Sequence, residues 1–476
     1  MAKVIHTAAV DLGATSGRVI LGAWSGAKLT LTEAHRFPNA YRDLGPHTYW
    51  EIGTLWHEVR TGLRKAAALL PRGARLASVG VDTWGCDHVL VNDTGRLVFP
   101  VHAYRDARTQ AGLKALAANG ASRIYAATGI PNVFYNTSLQ LAEAVAHCPA
   151  VTDLATRCLF LPDYLNYLLS GRMENELTVA STSQLLDVHG RGEWSRTALN
   201  HFHLPPEWFS TPIKPGTKLG RVVNFPELAG TQVIAVPSHD TASAYDAMPA
   251  AEDGNDLYLS SGTWSLIGFE SKTPVLGAEA EQARVANERT GDGHFRPLTN
   301  VVGLFLLEQI MKDFKQRPQH DREWAALITA AEKQPAPAGL LDTTDAAFTS
   351  PTSMKAAIDA QLRRRKLAAP KHLAGYTRLI CDSIGHGHAK AVTAFERMTG
   401  RKFRRILMVG GGSKNRLLCQ ATADAAGIPV VSFNLEGTAV GNMARQLIAL
   451  KAVKDLKTFR RLLGATLQQK TYTPRT

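Results

Sequence analysis

The stretch VIHTAAVDLGATSGRVILGAW, residues 4–24, decides the fold class of this chain. Two apolar, β-prone runs flank a turn of glycines and small hydroxyl side chains, and this pattern predicts a β-hairpin. Residues 52–70 then carry apolar side chains at near-helical spacing, and the pattern stops at Pro71. A strand pattern with a glycine-bearing kink returns over residues 76–93. Strands that alternate with helices indicate an α/β protein.

A second strand, small-residue turn and strand, LYLSSGTWSLIGF at residues 257–269, repeats the opening pattern. The repeat predicts a duplicated domain core with a cleft between the halves. With 476 residues, the chain is also too long for a single hydrophobic core. We therefore predict an N-terminal domain over residues 1–246, a C-terminal domain over residues 257–455 and a C-terminal tail over residues 456–476.

Composition and charge exclude several classes of protein. No apolar run of about 18 residues could span a bilayer, so no membrane partner is expected. The N-terminus lacks the long apolar region of a signal peptide. Five widely spaced cysteines without a C-x-x-C pair indicate reduced thiols and a cytoplasmic protein. The formal charge of +13 comes from scattered Lys and Arg residues, which favours an anionic small substrate over nucleic acid, and no pattern indicates the oligomeric state.

Three glycine-bearing turns at predicted strand ends are candidates for binding phosphate. They are DLGATSGR at residues 11–18, LSSGTWS at residues 259–265 and LMVGGGSKN at residues 407–415. Free backbone N–H groups in such turns can face anionic oxygens. Asp11 could hold Mg²⁺ through water, and Arg18 could meet a terminal phosphate. Each stretch also has an ordinary structural interpretation, as a hairpin turn, a Ser-Gly turn or close packing of a strand against a helix.

An acid follows a histidine in PSHDTASAYD, residues 237–246, where a strand pattern ends and a helix pattern begins. Asp240 could cap the helix by accepting hydrogen bonds from free backbone N–H groups, or it could be a general base at a cleft. Upstream, DTWGCD at residues 82–87 places a tryptophan between carboxylates, which suits a sugar ring and its hydroxyl groups. A core tryptophan beside a turn would give the same pattern.

The three turns together resemble the phosphate-binding turns of actin-like (ribonuclease H-like) ATPases. In order and spacing, the strings DLGATSGR, DTWGCDHVL, AYRDART, SHDTASA, LSSGTWSLIGFES and VGGGSKN resemble the FGGY carbohydrate kinases, over about residues 4–450. The resemblance implies two duplicated actin-like domains with a central cleft. It also implies that ATP, with Mg²⁺, phosphorylates the primary hydroxyl of a ketose, and L-rhamnulose is the ketose expected.

The resemblance further implies a set of site residues. Asp240 matches the general base of the family, whereas Asp11 is expected to hold the metal because of its position at a strand end. The residues implied to bind the sugar are Gly85, His239, Asp240, Thr241 and Asn300. The residues implied to bind ATP are Ala14, Thr15, Ser16, Gly17, Arg18, Thr263, Glu308 and Gly411.

One position departs from the family pattern, and two alternatives for the function stay open. Glu308 stands where the family often has a glutamine that helps to bind ATP. L-Fuculose or another ketose could be the substrate, because these sugars differ in hydroxyl stereochemistry and a site can read each hydroxyl. An actin-like switch ATPase would share the phosphate-binding turns, but it would not need SHDTAS together with DTWG.

Overall fold

The computed structural model describes residues 4–39, 41–349, 351–433 and 435–475. Its strands are β1 Ile5–Leu12, β2 Ser16–Trp24, β3 Leu29–Pro38, β4 Tyr41–Leu44, β5 His47–Trp50, β6 Leu76–Thr83, β7 His88–Val91, β8 Arg157–Phe160, β9 Lys218–Arg221, β10 Gln232–Ile234, β11 Asp256–Ser261, β12 Trp264–Phe269, β13 Ala286–Arg289, β14 Phe295–Val302, β15 Arg405–Val409, β16 Val430–Phe433 and β17 Gln469–Tyr472. Its α-helices are α1 Ile52–Ala68, α2 Gln110–Ala118, α3 Ala121–Thr128, α4 Thr137–His147, α5 Val151–Leu154, α6 Leu161–Ser170, α7 Leu177–Ala180, α8 Arg196–His201, α9 Asp240–Ala247, α10 Ala278–Gln282, α11 Phe305–Asp313, α12 Asp321–Glu332, α13 Met354–Arg364, α14 Leu373–Thr399, α15 Arg416–Ala426, α16 Gly437–Ala449 and α17 Leu456–Gly464.

The chain packs into two compact units, each built from separate segments. The first unit consists of Met1–Pro249, Glu270–Pro297 and Glu436–Thr466, and the second of Ala250–Phe269, Leu298–Leu435 and Leu467–Thr476. The structure therefore divides the chain differently from the predicted domains, because two segments beyond residue 257 pack with the first unit. The predicted tail after residue 455 is also folded, since it contains α17 and β17.

The first unit is built on a six-stranded sheet in the order β3-β2-β1-β6-β10-β9. The opening stretch forms the predicted hairpin of β1 and β2, and β1 runs parallel to β6. Alternate residues of a strand face opposite sides of a sheet. In β1, Ala8 and Val10 pack in the core that contains α1, whereas Ala9 packs against α16. Helices thus cover both faces of the central strands.

Six consecutive strands of a seven-stranded sheet repeat this topology strand for strand in the second unit, in the order β14-β12-β11-β15-β16-β17. A hairpin of β11 and β12 corresponds to the hairpin of β1 and β2. β15 pairs in parallel with β11, and β16 in parallel with β15, as β6 does with β1 and β10 with β6. The helical core of this unit is centred on α14, where Ile380 and Ile384 are buried in one cluster with Leu417 of α15. The predicted duplication is therefore present in the strand order.

Three further features of the described residues concern membrane spans, disulfides and the neighbouring histidines of α14. No helix among them is both long and apolar enough to cross a membrane. All five cysteines are free of disulfides. In α14, His388 is buried and hydrogen-bonds to Thr422, so it faces away from the exposed His386.

Candidate active site

The turn between β1 and β2 is braced by hydrogen bonds of its own. The N–H of Gly13 donates to the carbonyl of Ser16 over 3.0 Å, and the side-chain amide of Asn39 donates to the carbonyl of Gly13. These bonds leave Thr15 exposed at the tip. Of the residues predicted to bind ATP, Ala14 and Thr15 therefore lie in a short turn between β1 and β2, and Ser16 and Gly17 begin β2.

Arg18 of β2 joins this turn to two acids. Its guanidinium lies 2.8 Å from Oδ2 of Asp11 and 2.5 Å from Oε2 of Glu436. Burial lowers the pKa of Arg18, but the negative charges of both acids raise it by more than burial lowers it, so the net shift is upward. Arg18 therefore stays charged, and a phosphate group could replace the half-exposed Glu436 as its partner.

Two buried carboxylates lie side by side where β1 and β6 end. Asp11 and Asp82 are partners in the parallel register of these strands, and both are nearly inaccessible. Burial raises the pKa of Asp11 to about 6, although Arg18 opposes the shift. Burial and the charge of Asp11 raise the pKa of Asp82 as well. Two like charges out of contact with water thus disfavour each other's ionised form.

This pair of carboxylates fits a hard cation. Asn442 of α16 donates to Oδ2 of Asp82 over 2.6 Å, whereas Oδ1 of Asp82 is buried without a hydrogen-bond partner. Carboxylate oxygen is the ligand type that Mg²⁺ prefers. Within the described part of the chain, no group of three or more His, Cys, Asp or Glu residues is placed to hold a metal ion. Water or phosphate oxygens would therefore have to complete the coordination of a metal near Asp11.

Asp240 is the first residue of α9, and the N-cap residue is His239. Asp240 is therefore not the N-cap, although its Oδ1 accepts hydrogen bonds from the N–H (2.5 Å) and the hydroxyl (3.0 Å) of Thr241. The Asp240 side chain is 28% exposed, unlike the buried Asp11 and Asp82. Its charge contributes to the raised pKa of both. The three carboxylates thus belong to one site, and only Asp240 is accessible in it.

The buried carboxylate of Glu176, which lies outside the predicted site residues, fixes the loop before α9. Glu176 accepts a hydrogen bond from the backbone N–H of Ser238 over 3.0 Å. The hydroxyl of Thr178 donates to Glu176 and accepts from the N–H of His239 over 3.2 Å. Burial raises the pKa of Glu176 to about 7, although these bonds oppose the shift. The loop therefore enters α9 in a direction set by side chains as well as by the sheet.

Glu288 and Arg296, which both belong to the first unit, fix the ring of His239. Its Nδ1 lies 2.9 Å from Oε2 of Glu288, and its Nε2 lies 3.4 Å from Oδ1 of Asp240. Arg296 is fully buried and forms an ion pair with Glu288. Burial would raise the pKa of Glu288, but the charges of Arg296 and His239 lower it to about 2.

The DTWGCD string supplies a backbone position and a core cluster. A Cβ at Gly85 would lie 3.0 Å from the Thr182 hydroxyl, so glycine permits this close approach. Trp84 is buried against Trp50, with ring centroids 4.4 Å apart. Asp87 is buried and accepts hydrogen bonds from both indole N–H groups. Of the two interpretations of this string, the packing of Trp84 and Asp87 favours a core tryptophan beside a turn.

The other predicted residues lie in the second unit. Thr263 is exposed in the turn between β11 and β12, and Glu308 lies in the first turn of α11, which begins beside that turn. The residue before Gly411 packs against Ser261 at the end of β11. Asn300 is exposed on β14, where it pairs with Leu266. The structure thus gathers Thr263, Glu308 and the glycine loop at one end of this sheet.

The acids of the site differ in how far their roles could be predicted from the sequence. Asp82 lies one residue before the end of β6, at the start of the DTWGCD string, so its register with Asp11 could have been anticipated. Glu176 and Glu288 lie in no recognised motif. Glu436 follows the glycine loop but carries no pattern of its own. Contacts between distant parts of the chain, which a single sequence does not display, place these three acids.

Solved structures with a similar fold show which fold class this chain has. A ligand-bound xylulose kinase from Lactobacillus acidophilus matches with a TM-score of 0.80 and 15% identity, covering 99% of this chain and 94% of that one. A glycerol kinase from Plasmodium falciparum with ADP matches with a TM-score of 0.80 and 13% identity, covering 100% and 95%. At such low identity these matches show the fold alone. That fold is the predicted α/β class, with two duplicated actin-like (ribonuclease H-like) ATPase domains.

Sequence comparison then identifies the family. The model of the N-terminal domain of the FGGY family of carbohydrate kinases matches residues 6–244, and the model of its C-terminal domain matches residues 257–450. The chain belongs to the FGGY family of carbohydrate kinases, as the sequence motifs indicated. A rhamnulokinase from Klebsiella pneumoniae (strain 342) is 38% identical over 475 residues, covering 99% of this chain and 95% of the relative. A rhamnulokinase from Enterobacter sp. (strain 638) is 37% identical over 473 residues, covering 98% and 94%.

Proposed function

We propose that this chain transfers the γ-phosphoryl group of ATP to O1 of L-rhamnulose, giving L-rhamnulose 1-phosphate and ADP. The observation that carries the proposal is the accessible carboxylate of Asp240. Asp240 is the first residue of α9, and its charge acts on the buried acids Asp11 and Asp82. The near full-length similarity to two rhamnulokinases supports the choice of sugar. We expect the reaction to take place in the cytoplasm, as the cysteine content of the sequence predicts.

In this proposal Asp240 is the general base. It accepts the proton of the sugar hydroxyl while that oxygen forms a bond to the γ-phosphorus, and the bond to the bridging oxygen breaks as ADP leaves. The two hydrogen bonds from Thr241 to Oδ1 fix the orientation of the carboxylate. A general base contributes roughly 10²–10⁴-fold to the rate. The rest of the rate enhancement in phosphoryl transfer comes mostly from positioning and charge stabilisation.

The remaining predicted residues bind the two substrates. Gly85, His239, Thr241 and Asn300 would contact the sugar. The turn of Ala14, Thr15, Ser16, Gly17 and Arg18 would bind phosphate, with Thr263, Glu308 and Gly411 completing the nucleotide site. Mg²⁺, held near Asp11 through water, would neutralise charge on the phosphates. Glu308 is the weakest member of this set, because a carboxylate beside a polyanion is repelled where a glutamine would not be.

The test is an assay of ADP release with MgATP and a panel of acceptors: L-rhamnulose, L-fuculose, L-ribulose, D-xylulose and glycerol. We expect release to depend on L-rhamnulose and to be much slower with the others, since a site that reads each hydroxyl discriminates strongly. Faster release with L-fuculose or another sugar would replace the substrate but keep the kinase. Release without any sugar would favour a switch ATPase and contradict the proposal.

The same assay tests Asp240 directly. Asp240→Asn keeps the size of the side chain but removes its basicity, so we expect turnover to fall roughly 10²–10⁴-fold, with little change in ATP affinity. The exposed Asp93→Asn is the matched control and should retain normal turnover. Near-normal turnover of Asp240→Asn would remove Asp240 from the mechanism.

A further inference from the structure

The ring of His239 is clamped between two carboxylates, and only one of them is accessible. Glu288, on β13, faces Nδ1 at 2.9 Å, and Asp240 faces Nε2 at 3.4 Å. The Glu288 side chain is 11% exposed, against 28% for Asp240. The buried carboxylate therefore lies behind the ring, and the accessible one lies on the side where a substrate can approach.

Glu288 is itself fixed rather than free to move. Arg296 of β14 forms an ion pair with it, and the Arg296 side chain is fully buried. The Nε of Arg296 donates to the carbonyl of Arg289 over 3.1 Å, and its guanidinium lies 5.6 Å from the centroid of the Tyr245 ring. Because a guanidinium bonded in this way has few alternative positions, it holds the carboxylate of Glu288 in one place.

Two neighbours of Nδ1 bear on which nitrogen of His239 carries a proton. Nη2 of Arg296 lies close to Nδ1 and can only donate, so this contact alone would favour an unprotonated Nδ1. The carboxylate of Glu288 is a charged acceptor within reach of both Arg296 and His239, so both can donate to it instead. A ring nitrogen that faces a fixed carboxylate is a donor, and this fixes the orientation of the ring and leaves Nε2 pointing at Asp240.

We propose that Glu288 is a positioning residue that acts through His239 on the sugar-phosphorylation site. Glu288 keeps Nδ1 protonated and holds Nε2 beside Asp240, where it can accept a hydrogen bond from a sugar hydroxyl or, in the doubly protonated ring, donate one to Asp240. The inference rests on the proposed function, because the position of Nε2 affects turnover only if the reaction takes place at Asp240. It requires no contact between Glu288 and the sugar or ATP.

The kinetic test is a double-mutant cycle of Glu288→Gln and His239→Asn. Glutamine preserves the size of the side chain but no longer accepts the proton of Nδ1 with a charged oxygen. We expect Glu288→Gln to lower kcat/KM for the sugar roughly 10- to 100-fold in the wild-type background and only slightly in the His239→Asn background, because residues that act through one another are not additive. KM for MgATP should stay unchanged. Equal losses in both backgrounds would overturn the proposal.

A second measurement tests the ring itself and does not need turnover. In ¹⁵N NMR of wild-type protein labelled at histidine, with His239→Asn used for assignment, Nδ1 of His239 should be protonated. In Glu288→Gln this preference should weaken, whereas the exposed control Glu207→Gln should leave it unchanged. An unprotonated Nδ1 in the wild type would overturn the proposal even if the variants fail to fold. If no sugar supports ADP release but Nδ1 is protonated, the proposed function fails and the clamp on His239 stands.

Discussion

At the scale of single residues, burial separates the roles of chemically identical side chains. Asp11 and Asp82 are buried and have raised pKa values, whereas Asp240 is accessible. The sequence predicted Asp240 and Asp11 from their positions at strand ends and from family motifs. It left Trp84 and Asp87 undecided between a sugar site and the core, because the pattern of an aromatic beside an acid is the same whether the indole faces a sugar or, as here, a second tryptophan. Exposure decides between these interpretations, and a local sequence does not encode it.

The depressed pKa of Glu288 predicts a specific dependence of stability on pH. Its pKa falls from an ordinary 4.5 to about 2 in the folded chain, so the folded state favours the charged form. The resulting stabilisation, on the order of 3 kcal/mol, is complete above the unfolded pKa and is lost as pH falls from about 5 towards 2. The free energy of unfolding of Glu288→Gln, measured by denaturant at pH 7, 5, 4 and 3, should therefore approach that of the wild type as pH falls.

The control for this prediction is Glu207→Gln, which changes an exposed glutamate. Its difference from the wild type should be small at every pH. A difference between Glu288→Gln and wild type that stays constant down to pH 3 would mean that the charge of Glu288 does not stabilise the fold.

At the scale of elements, the site depends on how closely α16 approaches α9. A Cβ at Gly441 of α16 would collide with the backbone carbonyl of Ser243 in α9. The sequence predicted both hairpins and α1 from their patterns, but it did not predict this contact. Nearly two hundred residues separate the two helices, and a glycine inside a helix reads only as a mild weakness.

Gly441→Ala should therefore destabilise the chain, against the usual trend. Replacing a glycine inside a helix by alanine normally stabilises by about 1 kcal/mol. Here the added methyl group has to separate two packed helices, and we expect a net loss of about 1–3 kcal/mol. The matched control is Gly53→Ala in α1, where the added Cβ meets nothing within 4 Å.

Denaturant unfolding of both variants gives the comparison. The expected result is opposite signs, with Gly53→Ala slightly more stable than the wild type. A stabilised Gly441→Ala would show that α16 and α9 can separate without cost.

At the scale of the whole molecule, the first unit is completed by a late part of the chain. The hydroxyl of Ser78 donates to Gln446 over 2.6 Å, and Gln446 donates to the carbonyl of Ala8 over 2.9 Å. Arg445 pairs with Asp246, a residue of α9. The sequence did not predict these contacts, because strand and helix periods report neighbours along the chain and not partners 199 to 438 residues away. The repeat of strand order, in contrast, could be predicted, since each hairpin carries its own local pattern.

A fragment of residues 4–249 should consequently fail to fold cooperatively. It lacks α16, so Ile20 would lose its packing against Met443, and Asp82 would lose its bond from Asn442. We expect no cooperative thermal transition in near-UV circular dichroism. The same fragment joined by flexible linkers to residues 270–297 and 436–466 should show one, and cooperative unfolding of residues 4–249 alone would contradict the importance of α16.

The late arrival of α16 also matters while the chain is being made. A ribosome that adds 5–20 residues per second needs roughly 10 to 40 s to synthesise residues 250–435, which separate the first segment of this unit from α16. Throughout that interval the nascent sheet of the first unit exposes the face that α16 will cover, with its apolar side chains and its two aspartates. Nascent-chain protease sensitivity should therefore drop late, once α16 has left the exit tunnel, and a chaperone that shields this face would act before that moment.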